Sequence, residues 1–227
     1  MARPYVLLSV ATSLDGHIDD AGPDRLMISG AEDLDRVDEV RAGVDAILVG
    51  AGTIRADDPR LAVRSATRRA ERVRRGLTPS PAKVTITRGG GLDPTARFFT
   101  DGEADKLVYS ASGEHPELAG LATVVDAGDP LRLDLVLADL AARGVGRLMV
   151  EGGGAVHTLF LAAGVVDELH VAVAPFLVGD DAAPRFVHPA RFPQDAAHRM
   201  ELVDLRRVGD VALLVYRPVT PGGSCPP

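Results

Sequence analysis

Arg147-Leu-Met-Val-Glu151-Gly-Gly-Gly154-Ala-Val-His-Thr-Leu-Phe-Leu-Ala-Ala-Gly164 decides how this chain folds. A short apolar run, residues 147–150, ends in an acid; three glycines follow, and a helical pattern covers residues 155–164. That order is strand, turn, helix, with the turn at the strand's C-terminal end. Unpaired N–H groups and the positive end of a helix dipole gather at such a turn, which suits a phosphate. Gly152, Gly153 and Gly154 allow a ligand close to the main chain and tolerate positive φ. A tightly packed strand-to-helix turn uses the same residues, so this stretch alone leaves a nucleotide corner and a packing turn both open. Neither Gly-x-Gly-x-x-Gly nor Gly-x-x-x-x-Gly-Lys-Ser/Thr is present, which argues against a Rossmann dinucleotide fold and a P-loop.

Outward from this turn, strands and helices alternate. Residues 5–11, 45–50, 83–87, 106–110, 123–126 and 168–174 read as strands, and residues 31–43 and 131–143 as amphipathic helices. Ser29 is a candidate cap for the first helix, with Leu34, Val37, Val40 and Val44 on one face. Residues 201–207 and 211–217 read as a hairpin. Alternation followed by closing strands predicts an α/β fold with a mostly parallel sheet and antiparallel additions. Residues 1–218 are expected to form one domain, and residues 219–227 a loose Pro/Gly tail. Residues 65–81 carry five clustered arginines; an anion or partner patch is one reading, and a solvated helix or loop is the favoured one.

Composition narrows the function. With 227 residues and 46% hydrophobic content the chain can bury a sizeable core. No apolar run approaches the ~18 residues of a membrane span, and the N-terminus leads into a strand without a signal-peptide pattern. One cysteine, Cys225, excludes disulfide scaffolds and Cys-based zinc chemistry and predicts a cytoplasmic setting. A net charge of −7 argues against nucleic acid as the main partner. The histidines show no ligand spacing, so no metal site is expected.

Val49-Gly-Ala-Gly-Thr53-Ile-Arg-Ala-Asp57-Asp-Pro-Arg-Leu61-Ala-Val-Arg64 is the second dense stretch. It also follows a strand, so in a parallel sheet it lies on the same carboxyl rim, where ligands of open α/β sheets bind. With Ser13-Leu-Asp-Gly16, the run from Arg41 to Thr53, residues 57–64, Val150–Gly154 and Pro175–Gly179 in this order, the chain resembles the riboflavin-pathway pyrimidine reductases of dihydrofolate-reductase-like fold. The likeness runs over roughly residues 3–217. It implies a mostly parallel twisted central sheet flanked by helices with antiparallel C-terminal strands, commonly dimeric through the last strands. It further implies an NADPH-dependent reductase that acts on a ribosylaminopyrimidine 5′-phosphate and reduces the opened ribose to a ribityl chain.

Carried over position by position, Thr53 and Asp57 contact the cofactor, and Gly152, Gly153, Gly154 and Ala155 cradle its pyrophosphate. Arg41, Leu61, Arg64 and Glu151 fall on the substrate side. Arginine forks suit a phosphate, and a carboxylate accepts from pyrimidine N–H groups. Thr53 as a helix cap, Asp57 as a turn residue and Arg41 as a helix-terminal charge are the plain structural alternatives. Two departures stand out. His17 follows Leu-Asp-Gly where the family usually has lysine or arginine; histidine can still donate a proton or hydrogen bond there, and a plain loop histidine is the alternative. Thr87–Gly91, with Arg88 and Gly89, stands where the family tends to show Asp-Ser; Arg88 suits a 2′-phosphate, and a solvent-facing Arg88 is the alternative. Glu151 and His17 are therefore the candidate catalytic side chains. Hydride chemistry rests mainly on the cofactor, so no Ser–His–Asp arrangement is expected. A same-fold reductase of another heterocycle, such as dihydrofolate or a specialised pyrimidine, and a non-catalytic nucleotide-binding module remain as alternatives.

Overall fold

Every residue of the strand Ala46–Gly50 is buried. A strand with no polar face belongs in the middle of a sheet covered on both sides. The computed structural model describes residues 3–22 and 26–219 and places this strand so. In chain order the elements are β1 (Tyr5–Thr12), α1 (Ala31–Ala42), β2 (Ala46–Gly50), α2 (Ala51–Asp57), α3 (Ala66–Arg74), β3 (Ala82–Thr87), α4 (Arg97–Thr100), β4 (Lys106–Ser110), β5 (Thr123–Asp126), α5 (Leu133–Ala142), β6 (Arg147–Gly152), α6 (Gly154–Ala162), β7 (Glu168–Val173), β8 (Met200–Val208) and β9 (Val211–Pro218). A single 3-10 turn, Pro116–Leu118, follows β4.

The nine strands form one sheet in the order β5-β4-β3-β2-β6-β1-β7-β9-β8. All pairs from β5 to β7 are parallel, and β9 and β8 add antiparallel. This is the α/β architecture the sequence predicts. Alternate strand residues feed two cores. Leu8, Leu48, Leu148 and Val150 meet α5 and α6 on one face; Leu7, Ile47, Val49 and Met149 meet α2 and α4 on the other. Because β2, β6 and β1 are adjacent and parallel, their C-terminal ends share one rim.

Several local expectations change. Ala51, Gly52 and Thr53, which follow β2, form the first turn of α2, and β6 continues two residues beyond Val150. Gly30, not Ser29, is the N-cap of α1; the Ser29 hydroxyl donates to the Asp33 carboxylate at 2.5 Å. The buried face of α1 carries Asp33, Arg36 and Asp38, because it walls a cleft and receives α3.

The arginine-rich segment forms the short, largely solvent-facing helix α3, with Arg74 and Arg75 exposed, but two of its arginines are tied down. Arg68 pairs with Asp35 at 2.6 Å and Asp38 at 3.0 Å. Arg72, 2% exposed, donates to the carbonyls of Ala42, Val44 and Thr78. A helix end leaves such carbonyls unpaired, so Arg72 closes α1 as it docks α3. The tail beyond Val219, with Cys225, lies outside the described residues. Among the described residues no helix is long and apolar enough to cross a membrane.

Candidate active site

The site grows from two neighbouring strand ends. A Cβ on Gly50 would lie 2.7 Å from Val156 Cγ2, so glycine here lets α6 sit against the β2–α2 corner. Thr53 follows on the first turn of α2. At the end of β6, Gly153 takes φ of 89° as the N-cap of α6, a conformation that favours glycine. A Cβ on Gly152 or Gly153 would come within 3.2 or 3.1 Å of the Thr53 side chain. The two corners therefore touch, and Thr53 is their contact. The packing reading and the ligand reading of the glycines are compatible: small residues bring the corners together and leave the main chain bare. Val156 and His157 both donate their N–H to Gly153 O, at 2.9 and 3.0 Å. The N–H groups ahead of them are the ones a helix start leaves open.

Two hollows of about 900 and 420 Å³ lie along this rim and share Thr53, Asp57, Glu151 and Leu34 as a common wall. Gly152, Gly153, Gly154 and Ala155 bound the smaller one. Arg41, Leu61 and Arg64 bound the larger. The structure thus gathers ten of the residues singled out from sequence around one cleft.

Inside the larger hollow, Arg41 and Glu151 bind each other. The guanidinium donates to both carboxylate oxygens, at 2.6 and 2.5 Å, and both side chains are largely buried. Burial pulls the Arg41 pKa down, but the charge of Glu151 and its hydrogen bonds outweigh that and hold it above its ordinary value. Arg41 is therefore not an open fork for a phosphate; its Nη1 also donates to Ala62 O at 3.2 Å. Arg60 and Arg97 both lie against Asp101, at 2.9 and 3.5 Å. The exposed side chain of Arg64 has no partner among the described residues, while its backbone N–H is held by Asp38. Leu61 is 1% exposed yet has φ of 47°, and Asp58 has φ of 41°. A left-handed non-glycine costs on the order of 1 kcal/mol and persists where its surroundings enforce it.

Three sequence-singled residues stand apart. His17 is 1% exposed and outside both hollows. Its Nδ1 lies 3.2 Å from Ala183 O, and its backbone bridges to Arg185, so it fastens the turn after β1 to residues 183–186. Arg88 and Gly89 follow β3 on the same rim but line neither hollow. Gly89 O accepts from the Thr87 hydroxyl.

The structure also holds groups that the sequence reading missed. One is a structural Ser–His–Glu chain: Ser110 Oγ lies 2.8 Å from His115 Nε2, and His115 Nδ1 lies 3.0 Å from Glu117. Ser110 is fully buried and accepts from the Ser112 N–H, so the chain shapes the loop after β4 and has no access to a substrate. His157 is 1% exposed beneath the start of α6, and burial holds its pKa down at about 4. Its signal in the sequence was weak, a lone histidine on an apolar helix. His188 lies beside Gly154 on the wall of the smaller hollow.

A mostly parallel sheet with a bare-backbone corner and an arginine-lined hollow side by side on its carboxyl rim defines an α/β protein with two adjoining hollows at the strand ends. The family model of the RibD C-terminal domain matches residues 4–214, and the chain belongs to that family. The 2,5-diamino-6-ribosylamino-4(3H)-pyrimidinone 5′-phosphate reductase of Archaeoglobus fulgidus is 40% identical over 187 residues, 80% of this chain and 85% of that one. The enzyme of the same name from Methanothermobacter thermautotrophicus is 37% identical over 220 residues, 94% of this chain and 98% of that one. The solved structure of Acinetobacter baumannii RibD matches with a TM-score of 0.80 at 27% identity, covering 96% of this chain and 59% of that one. This chain thus spans little more than half of that longer protein.

Proposed function

We propose that this chain is an NADPH-dependent reductase of a ribosylaminopyrimidine 5′-phosphate in riboflavin-type biosynthesis, reducing the opened ribose to a ribityl chain. The observation that carries the reading is the contact of two unlike hollows at Thr53 and Glu151. Relatives named as 2,5-diamino-6-ribosylamino-4(3H)-pyrimidinone 5′-phosphate reductases, at 37–40% identity, supply the substrate class.

The corner fits a nicotinamide dinucleotide. Its glycines leave backbone at the cleft wall, and a helix start favours an anion. Gly152, Gly153, Gly154 and Ala155 would hold the pyrophosphate, and Thr53 and Asp57 would hydrogen-bond the ribose or carboxamide. Arg88 would meet the 2′-phosphate that separates NADPH from NADH. When bound, the cofactor supplies the hydride. The protein's part is to orient and to exclude water. Arg41 fixes the Glu151 carboxylate in place, and its remaining lone pairs accept from the amino and ring N–H groups of the pyrimidine. Arg64, whose guanidinium has no partner among the described residues, takes the substrate phosphate. Leu61 supplies an apolar wall. His17, buried behind residues 183–186, has no part in this reading.

The chain acts as one domain in the cytoplasm, and a second copy pairs along the outermost strand, where Leu202, Val203 and Leu205 are 47%, 39% and 61% exposed. Sedimentation velocity tests that pairing. The reaction is tested by following NADPH consumption with the diaminopyrimidinone phosphate, its deaminated counterpart and dihydrofolate. Turnover of either ribosylaminopyrimidine is the expected result. Turnover of dihydrofolate alone overturns the proposal, and cofactor binding without any turnover would leave a nucleotide-binding module.

A further inference from the structure

Residues 183–188 cross the start of α6 and are fastened from two sides. From the β1 side, Ile18 N–H donates to Pro184 O at 2.9 Å and Phe186 N–H to Gly16 O at 3.2 Å. From α6, His157 Nδ1 lies 3.1 Å from Phe186 O, and the His188 N–H donates to Thr158 Oγ1 at 2.8 Å. The Thr158 hydroxyl in turn donates to Gly154 O at 2.6 Å. The segment lies so close that a Cβ on Gly154 would sit 2.4 Å from Arg185 O and 3.1 Å from His188 Nε2. The imidazole of His188 is therefore laid against the first turn of α6, at the wall of the smaller hollow.

This placement has chemical meaning. Among the described residues, the other ionisable side chains on that wall are His157, which is buried, and the carboxylates Asp19, Asp57 and Glu151. None of them offers an exposed donor to an anion seated on the helix start. An imidazole carries an N–H whenever it is neutral, and two when charged. Its backbone is already pinned by Thr158, so little further ordering is needed for the ring to act.

We propose that His188 is a cofactor-binding residue, its Nε2–H donating to the pyrophosphate held at the first turn of α6. The inference rests on the cofactor reading given under Proposed function. Thr158 is its positioning residue.

Fluorescence titration with NADPH and with reduced nicotinamide riboside, which lacks the pyrophosphate, separates the possibilities. His188→Ala should weaken NADPH binding about tenfold, the effect of one hydrogen bond to a charged group. Binding of the riboside should stay unchanged. His188→Gln, which keeps an N–H donor, should recover part of the loss, and thermal melts of both variants should match the wild type. An NADPH affinity for His188→Ala within about twofold of wild type overturns the inference and leaves the reductase reading standing. An equal loss for the riboside also overturns it, since that ligand has no group for His188 to meet. Absence of NADPH binding in the wild-type protein would remove both.

Discussion

The two sides of the cleft are made of different material. On the larger side the determinants are charged side chains that hold one another: Arg41 with Glu151, Arg36 with Asp33, and Arg60 and Arg97 with Asp101. On the smaller side they are the absence of side chains, at Gly152, Gly153 and Gly154. Charges in pairs can be re-formed around a varied polar ligand. A backbone corner can change little, because Thr53, Arg185 and His188 already occupy the space a Cβ would need. Damage on the charged side should therefore unbalance a buried pair, whereas damage on the glycine side should act by bulk.

The largest effect is expected at Glu151. Glu151→Ala leaves the Arg41 guanidinium buried without its partner, at a cost of about 3–5 kcal/mol in denaturant unfolding. The double variant with Arg41→Met should recover much of that. Additive losses in such a cycle would mean the pair is not coupled. Glu151→Gln should keep NADPH affinity within about twofold while cutting turnover more than about tenfold. A parallel fall in cofactor affinity would put Glu151 on the other side of the cleft.

Next comes acid. His157 has a pKa near 4 against an ordinary 6.5, so the unfolded chain takes up the proton first as pH falls. The stability it protects is whole above pH 6.5 and drains away between 6.5 and about 4, by up to roughly 3 kcal/mol. His157→Asn should flatten that limb of the stability–pH curve. An unchanged acid limb in the variant would show that other groups set it.

Gly154→Ala forces a Cβ to within 2.4 Å of Arg185 O and should cost about 1–3 kcal/mol while displacing His188 from the corner. NADPH affinity should fall with it, and an unperturbed affinity would contradict the close crossing of residues 183–188. Gly52 is the opposite case, since a Cβ there meets nothing within 4 Å and the residue is helical. Gly52→Ala should stabilise by about 0.5 kcal/mol, read as a small rise in melting temperature.

Much of the fold is legible along the chain, and the reasons are local. Ala46–Gly50 has no polar residue to put in water, and the helix after Gly153 follows from a strand end, glycines and an apolar period. Thr53 and Asp57 were recognisable as rim residues because any strand of a parallel sheet delivers its C-terminal neighbours there. The helix start at Ala51 is not legible locally, because Ala-Gly-Thr is as good a loop as a helix start until α6 presses against Gly50. Arg74 and Arg75 are solvent-facing, as a charge run usually is, but nothing nearby in sequence shows that Arg72 reaches the end of α1.

Sequence alone determined the alternation of strands and helices, the glycine corners and the residue types available at the rim, because propensity, periodicity and positive φ are properties of short stretches. The tertiary structure decided who pairs with whom. Arg41 and Glu151 are 110 residues apart, and Ser110 gains its buried histidine, His17 loses its access and His188 arrives at Gly154 through packing. Those outcomes depend on distance and burial after the chain has closed on itself, and neither quantity exists for a residue until the sheet has set its neighbours.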